Sequence, residues 1–596
     1  MRALRYLWIP LFSLALMAQS TTGSTGSTTH TRTRKRTASS ARTKKTSAPA
    51  TADEVQSLRE ALATQQQQIQ QLTQQLQQRD QASEQQQQQI NQLQQAAADA
   101  QTKATTAADT AKAMQSDVTD LKANATTTAL TIQEEQKHVT DLTESPLAIH
   151  YKGITITPGG FLAAETVWRQ RGLASDVNTP FNTVPFAGFN AAHLSEFFAT
   201  GRTSRVTLLA EGKLSMAKLT GYYEADWLSA GITSNNNQSN SYTNRMRQLW
   251  GQAALSDGFT FTGGQQWSLV TETKNGMDNR TEAVPSVIDH AYNVGFSWAR
   301  QFGARFTKNF NNRVWLGFSV ENAQTTLTAH GNLSNFVFGN AGTSGGAFNP
   351  TANYSFNESP DFVFKVVFQP KIGHYEVVGL ISQFRARVFP NVTGVPATTS
   401  ALGAFSDSRS GGGVGANARW LLFSKHLEIG VHGFGGDGVG RYGASGLPDA
   451  TIRPNGTLAL LHSYQGLGTV EIHYPKFDVY FNGGEEYISR WSQLRNPTTA
   501  VGYGSPLFNN SGCSIEAVPA GGNGFTPGTP GNCNADTRSL EEYSTGFYIK
   551  FYNGPKGRVQ WGPQYSYIVR NTWRGVGNSP HTNENMFLTS FRYYLP

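Results

Sequence analysis

Arginine side chains recur in this sequence at a spacing that could place several guanidinium groups on one surface. In segment 382–389, Gln383, Arg385 and Arg387 occupy every second position. Residues two apart point to the same face of a β-strand, so these polar side chains would share one face. The other face would be apolar and lipid-facing, formed by Phe384, Ala386 and Val388. Guanidinium groups bind phosphate and carboxylate through paired hydrogen bonds, and a cluster of them would attract anions.

The same parity argument places further arginines on polar faces. The expected pore-lining, anion-attracting set is Arg205, Arg245, Arg247, Arg305, Arg385, Arg387, Arg419, Arg558 and Arg570. A second interpretation gives these arginines a supporting role, paired with carboxylates on neighbouring strands: Glu224, Asp226, Asp478 and Glu486. Both interpretations stay open at the level of sequence.

No motif combines the residues and the context that catalysis or cofactor binding requires. Gly342–Gly346 matches the nucleophile-elbow pattern but lacks the strand-to-helix context of that motif. Gly433–Gly440 is glycine-rich, but no helix is predicted after it. The 12 histidines are scattered without metal-ligand spacing. We therefore expect no enzyme, no cofactor and no metal site.

The elements that must position the arginines follow a long N-terminal region. Residues 1–20 are typical of a signal peptide, with a basic start, an apolar run and small residues at the cleavage site. Residues 21–50 are basic and rich in Ser and Thr, which predicts a disordered linker. Residues 51–145 keep a heptad pattern of apolar positions, which predicts an α-helical coiled coil.

From residue 150 to residue 596 the hydrophobic period changes to two. Sixteen segments alternate polar and apolar residues, and eighteen is the alternative count. They lie near 152–168, 201–212, 217–229, 243–256, 259–270, 292–308, 313–326, 361–370, 374–389, 411–424, 427–442, 457–474, 477–491, 538–552, 558–573 and 585–596. From the second segment onward, tight turns with Gly, Pro, Asn or Asp alternate with long connections.

This pattern predicts an all-β transmembrane barrel of antiparallel strands. After the N-terminus no apolar run is long enough for a transmembrane helix, and a closed barrel is the other structure that can span lipid. Short turns at one end and long loops at the other are typical of outer-membrane barrels. An even strand count places both barrel ends on the side of the coiled coil, the periplasm. The net charge of +8 is too small to indicate nucleic-acid binding but permits an anion-leaning pore.

The chain contains two cysteines, Cys513 and Cys533, in one predicted long loop. In an exported protein such a pair more often forms a disulfide than a metal site. We expect a disulfide that closes a loop of roughly 20 residues and stabilises the fold by on the order of 3 kcal/mol.

Two stretches resemble a known group of proteins. Thr262-Gly263-Gly264-Gln265-Gln266-Trp267-Ser268-Leu269, followed by Phe302-Gly303-Ala304-Arg305-Phe306, is similar to a strand pair with a Gly-Gln-x-Trp-Ser pattern in trimeric outer-membrane porins of the DcaP-like type. Phosphate-selective porins are a more distant resemblance. The end of the chain, Phe587–Pro596, resembles a terminal insertion strand but closes on Leu-Pro instead of an aromatic residue. The resemblance implies a homotrimer that passes small hydrophilic solutes.

In the resembling porins the third external loop folds inward and sets the constriction. Here that loop spans 271–291 and carries charges of both signs: Glu272, Lys274, Asp278, Arg280, Glu282 and Asp289. An ordinary surface loop is the alternative.

The sequence as a whole predicts an outer-membrane porin of a Gram-negative bacterium that lets small hydrophilic, mainly anionic solutes diffuse. A substrate-specific dicarboxylate or phosphate channel is one alternative. A structural envelope tether, with the barrel only as its anchor, is another. The expected partners are further copies of the chain, outer-membrane lipid, lipopolysaccharide and small anions. Peptidoglycan is an additional candidate partner for the basic linker, and nucleic acid is not expected.

Overall fold

The computed structural model describes residues 148–228, 242–341, 353–390, 401–519 and 527–596, together with Gln115. All described strands belong to the unit Thr128–Pro596. The predicted signal peptide and linker lie outside the described residues, as do the predicted coiled coil apart from Gln115 and the segment Gly342–Gly346. In the described part of the chain, no helix is long and apolar enough to cross a membrane.

Sixteen strands form one closed antiparallel barrel. They are β1 Ile154–Arg169, β2 Arg205–Lys213, β3 Ala217–Asp226, β4 Arg245–Leu255, β5 Phe259–Trp267, β6 Arg300–Phe310, β7 Val314–Glu321, β8 Asp361–Phe368, β9 His374–Val388, β10 Phe405–Leu422, β11 Leu427–Asp437, β12 His462–His473, β13 Phe477–Ile488, β14 Thr537–Gly554, β15 Gly557–Thr572 and β16 His581–Tyr594. Each strand pairs with the next along the chain.

The first and last strands close the barrel. The lower half of β1, from Ile154 to Phe161, pairs with β2, and its upper half, from Phe161 to Arg169, pairs with β16. Because every strand then has two neighbours, the main-chain groups of the wall are satisfied without an open edge. The predicted fold class, an all-β barrel of sixteen antiparallel strands, is confirmed.

The ends of the predicted segments lie within five residues of the observed strand ends, with two larger differences. The segment predicted at 292–308 becomes a strand only at Arg300, because residues 292–299 belong to a loop inside the barrel. The segment predicted at 411–424 begins earlier, at Phe405. The seven short connections, from β2–β3 to β14–β15, lie where the sequence predicts tight turns, and because consecutive strands are antiparallel they all lie at one end of the barrel. Residues 311–313 connect β6 and β7; Asn311 and Asn312 have φ of 53° and 52°, and the Arg313 N–H donates to the Phe310 carbonyl at 3.1 Å, which closes a tight β-turn.

Shorter elements complete the described structure. Strands Ile149–Tyr151, Glu196–Thr200 and Phe336–Val337 extend the barrel sheet. Three two-stranded sheets lie in the long loops: Gly339–Ala341 with Asn353–Ser355, Ala450–Ile452 with Leu458–Leu460, and Trp491–Asn496 with Thr499–Tyr503. Four 3₁₀ helices span Phe181–Thr183, Asn190–His193, Gly440–Tyr442 and Ser511–Ser514.

Side chains alternate between the two faces of the wall. On β8, Phe364, Val366 and Phe368 are about half exposed, whereas Val363 and Lys365 are buried. Since the exposed face is apolar and the other is packed, the exposed face is the one that contacts lipid in an outer-membrane barrel. The hydrophobic core therefore lies inside the barrel, where loops pack against the wall.

The face expected for the arginines of β9 is wrong. Phe384, Ala386 and Val388 are buried, and Phe384 and Ala386 pack inward on apolar residues of the β11–β12 loop, residues 438–461. Arg385 and Arg387 consequently lie on the outer face, together with exposed residues lower on the strand. The physical reason is that an apolar loop fills the lumen at this height, so the inward face of β9 is the apolar one.

Candidate functional site

One loop crosses the inside of the barrel. We call it the inner loop; it comprises residues 268–299 between β5 and β6. Carboxylates of the wall hold its first half: the Leu269 N–H donates to Glu321 at 2.8 Å, and the Thr273 N–H donates to Glu376 at 3.0 Å. The beginning of the inner loop is thus fixed to β7 and β9.

The second half of the inner loop is bound to another part of the wall. The Val294 N–H donates to Glu542 at 2.9 Å, and the Gly295 N–H donates to Glu486 at 2.9 Å. The Ser286 hydroxyl donates to Glu471 at 2.9 Å. A carboxylate offers about four acceptor sites, so one side chain can hold several main-chain groups. The inner loop therefore spans the lumen from β7–β9 to β12–β14.

Two of the charged residues predicted in this loop form ion pairs with the wall. Glu272 lies 3.0 Å from Arg419 on β10, and both side chains are buried. Lys274 lies 3.2 Å from Glu428 on β11, and its side chain is 40% exposed. These contacts attach the loop to β10 and β11.

The other four predicted residues of the loop have different surroundings. The Arg280 guanidinium lies 5.0 Å from the ring centre of Tyr222, and the Arg280 N–H donates to Glu282 at 3.3 Å. Asp278 is exposed. Asp289 is buried and accepts hydrogen bonds from two main-chain N–H groups at 2.8 and 3.2 Å. The six residues therefore do not converge on one point; they are distributed along the loop.

A cavity of about 500 Å³ lies between residues 284–292 of the inner loop and the barrel wall. The basic and acidic residues among those that line it are Arg205, Arg247, Lys550, Arg558, Arg592, His290, His473, Asp289 and Asp478. Four guanidinium groups and one ammonium group thus face two carboxylates. We call this space the basic cavity.

Aromatic rings hold three of the guanidinium groups. Those of Arg205 and Arg592 lie 5.1 and 5.0 Å from the ring centre of Phe161. That of Arg558 lies 4.1 Å from the ring centre of Tyr594, which is 5.2 Å from the Phe161 ring. Cation–π contacts orient a guanidinium group but leave its charge in place. The array is therefore both ordered and positive.

Carboxylates compensate part of this charge. Arg592 lies 2.7 Å from Glu165, and Lys550 lies 2.8 Å from Asp478. Arg558 makes no ion pair with any residue that the structure describes; its guanidinium group contacts the Tyr594 ring. Arg558 is consequently the cavity residue with the least compensated charge.

Three predicted arginines share two carboxylates in one network. Arg205 lies 3.6 Å from Glu224, Arg247 lies 2.9 Å from Asp226, and Arg245 lies 2.8 Å from Asp226. Arg247 also donates to Glu224. The two interpretations of the sequence therefore apply together here, since Arg205 and Arg247 pair with carboxylates and also line the basic cavity.

The remaining inward arginines support loops instead of lining the cavity. Arg305 donates to Asn279 of the inner loop at 2.9 Å. Arg419 holds the inner loop through the ion pair described above. Arg570 donates to the carbonyl of Val184 in the β1–β2 loop at 2.9 Å.

Sequence reasoning missed Lys550 and Arg592 as cavity residues. Lys550 lies between Ile549 and Phe551, which are 39% and 63% exposed on the outer face. The apolar alternation of β14 could have identified Lys550 as inward-facing. His290 gave no such signal, because its place in the cavity depends on the path of the inner loop.

One group of potential metal ligands occurs among the described residues. Ligand atoms of Glu428, Glu471 and His473 lie within 4.8 Å of one another. Lys274 and Arg419 already form ion pairs with Glu428. We interpret the group as part of an ion-pair network at the wall.

The long loops pack together at the other end of the barrel. Cys513 and Cys533 form a disulfide in the β13–β14 loop, and the Gly188 N–H of the β1–β2 loop donates to the Cys513 carbonyl at 2.7 Å. His330 Nε2 lies 2.7 Å from Asp536, and this hydrogen bond raises the pKa of His330. The loop end is thus joined by contacts between distant segments.

No family model and no curated protein sequence matches this chain. Among solved structures, the outer-membrane channel DcaP of Acinetobacter baumannii aligns with a TM-score of 0.51 at 13% identity, over 75% of this chain and 99% of that one. The barrel has the porin fold. At this identity the likeness concerns the fold alone.

Two further structures align less closely. The OmpF complex with daunomycin from Salmonella typhi has a TM-score of 0.40 at 8% identity, covering 75% of this chain and all of that one. An anion-selective porin from Comamonas acidovorans has a TM-score of 0.38 at 8% identity, covering 74% and 100%. Proteins with the porin fold are typically non-enzymatic channels of the Gram-negative outer membrane.

Proposed function

We propose that this protein is a homotrimeric outer-membrane channel through which small hydrophilic anions diffuse. The porin fold supports the channel, and the basic cavity supports the preference for anions. The observation that carries the proposal is the aromatic-held array of Arg205, Arg592 and Arg558 beside the inner loop. Positive groups in a narrow, low-dielectric passage raise the local concentration of anions.

The proposed orientation follows from the ends of the barrel. β1 starts and β16 ends at the end that carries the tight turns, because Ile154 pairs with Gly212 and Tyr594 pairs with Arg558. Short turns are periplasmic in outer-membrane barrels. On this proposal the basic cavity opens on the periplasmic side of the inner loop, and the predicted coiled coil at 51–145 lies in the periplasm.

The test is single-channel recording of the purified full-length protein in a planar bilayer with a KCl gradient. We expect conductance in groups of three steps and a reversal potential that indicates anion preference. Arg558→Gln should reduce this preference, because it removes the least compensated cation of the cavity. Arg538→Gln is the matched control: Arg538 is exposed at the loop-bearing end of β14, away from the cavity.

Three results would contradict the proposal. A reversal potential that favours cations would show that the basic cavity does not govern permeation. Folded protein without current would remove the channel itself, and the structural-tether hypothesis would then lead. Equal effects of the two substitutions would mean that surface charge, not the cavity, sets selectivity.

A substrate-specific channel for dicarboxylate or phosphate is the second candidate. It is favoured by the Phe161 ring, which holds two guanidinium groups about 5 Å from its centre and therefore within about 10 Å of each other. Two fixed cations at this separation could bind two anionic groups of one solute. Titration with succinate or inorganic phosphate separates the candidates, since a binding site makes the current saturate and simple diffusion does not.

A further inference from the structure

Two arginines of β9 face away from the lumen at the loop-bearing end of the strand. Glu376 and Phe384 show which side chains of β9 point inward. Both are buried: Glu376 contacts the inner loop and Phe384 contacts the β11–β12 loop. Ile381 marks the outward parity and is 49% exposed. Arg385 and Arg387 share the outward parity, and Arg387 is exposed.

The height of these arginines on the wall can be read from the strand. The outward residue nearest the tight turn is Tyr375, and Trp420 donates a hydrogen bond to its hydroxyl at 2.9 Å. We assign these two residues to the aromatic girdle of the barrel. A membrane-crossing strand needs about 9–11 tilted residues. Counted from Tyr375, the apolar band therefore ends near Arg385, and Arg387 lies just beyond it.

This position explains how charged residues are tolerated on the outer face. A lipid-facing arginine is costly at the bilayer midplane, but the cost falls almost to zero near the interface. With the orientation given under Proposed function, Arg385 and Arg387 lie at the level of the head groups of the outer leaflet.

The neighbouring outward residues are hydrogen-bond donors. On β10, Ser406 is paired with Arg387 and Ser408 with Arg385, and Ser410 is paired with Gln383. We call the two arginines and the three serines the outer Arg–Ser patch.

The patch keeps its positive charge. Arg385 donates to two main-chain carbonyls, those of residues 356 and 357, at 3.3 and 3.1 Å. Arg387 lies 3.5 Å from the Ser406 hydroxyl. Neither arginine forms an ion pair with any described carboxylate. Guanidinium and hydroxyl groups that lie side by side can donate hydrogen bonds to the oxygens of one phosphate group.

We infer that the outer Arg–Ser patch binds the phosphate of an outer-leaflet lipid, the lipid A part of lipopolysaccharide. The apolar surface directly below it favours a lipid over free phosphate. Val377 and Ile381 on β9 and Phe364 on β8 are about half exposed or more. Acyl chains can lie along these side chains while the phosphate reaches the arginines, so one molecule satisfies both surfaces.

The experiment measures retention of lipid A by the purified full-length protein with native mass spectrometry in detergent. Bisphosphorylated lipid A, dephosphorylated lipid A and inorganic phosphate are compared. We expect the double variant Arg385→Gln/Arg387→Gln to bind bisphosphorylated lipid A roughly 30-fold more weakly, from two charges acting at an anionic surface. Dephosphorylated lipid A should bind both proteins equally.

Arg409→Gln is the control. Arg409 lies near the same end of the wall on β10 but has the inward parity and forms an ion pair with Asp407 at 2.8 Å. It should bind lipid A as the unchanged protein does. Equal affinity of the double variant and the unchanged protein would overturn the inference. So would displacement of lipid A by inorganic phosphate, or loss of the oligomer in the double variant, which would assign the patch to a second copy of the chain.

Discussion

Glu376 on β9 is the carboxylate to which we assign the largest role in holding the inner loop. Its oxygens lie 2.9 Å from Lys365 Nζ, 3.0 Å from the Thr273 main-chain nitrogen, 2.9 Å from His374 Nε2 and 2.6 Å from Asn417 Nδ2. The side chains of Lys365 and Glu376 are both 0% exposed. Glu376→Gln keeps the shape of the side chain and removes its charge.

The substitution should lower the free energy of unfolding by about 3–5 kcal/mol, because it leaves a buried ammonium group without its counter-charge. Lys365 also donates to the Thr271 carbonyl at 2.7 Å, so both members of the pair hold the inner loop. We therefore expect the start of the loop to become mobile and the single-channel current to become noisier.

Thermal unfolding followed by tryptophan fluorescence, together with single-channel recording, tests this. The control is Glu211→Gln, which breaks an ion pair with Lys218 of the same 2.9 Å length but with side chains 33% and 47% exposed. An exposed pair contributes at most about 1 kcal/mol. The double variant Lys365→Met/Glu376→Leu should recover much of the lost stability. If Glu376→Gln had the same unfolding temperature and the same single-channel current noise as the unchanged protein, the reasoning would be refuted.

Three further predictions concern the loops. Replacing Cys513 and Cys533 with Ser should destabilise the β13–β14 loop by about 3 kcal/mol and speed its proteolysis, while the barrel stays folded; unchanged proteolysis would contradict this. The pKa of His330 is raised by Asp536, so its contribution to loop packing is complete below the unfolded pKa of about 6.5 and is lost as pH rises through the folded pKa. Hydrogen exchange near residue 330 should therefore be faster at high pH, after correction for the intrinsic rate, and Asp536→Asn should abolish that difference. Gly484→Ala should displace the end of the inner loop, because the added Cβ would meet a main-chain carbonyl of that loop; a conductance equal to that of the unchanged protein would count against the proposed packing.

The strands were predictable because a barrel wall separates two environments. On β8, Phe364 and Lys365 are neighbours in sequence, yet one faces outward and the other is fully buried. Such alternation, interrupted by turn residues, is visible without any knowledge of pairing. The same local rule failed at 292–299, where Val294 and Gly295 resemble strand residues. Their N–H groups are satisfied by wall carboxylates instead of by a neighbouring strand.

The orientation of β9 could not be predicted from parity, because parity separates two faces without saying which is inside. The choice rested on the assumption that the lumen is polar. At the loop-bearing end of β9 the lumen holds Ala450, Ile452 and Leu458 of the β11–β12 loop, and the inward side chains are apolar to match. The contacts of the inner loop could not be predicted from the sequence either. Glu272 and Arg419 are 147 residues apart and meet only through the strand register.

The positive character of the basic cavity is not a consequence of composition. Residues 150–596 contain 34 Lys and Arg and 28 Asp and Glu, an almost even balance. Many of the inward carboxylates are engaged with the inner loop: Glu321, Glu376, Glu471, Glu486 and Glu542 each accept a hydrogen bond from it. Because these acids face the loop, they contribute less to the field in the open part of the lumen, where Arg205, Arg558 and Arg592 remain. The loop that narrows the barrel therefore also sets the sign of the charge beside it.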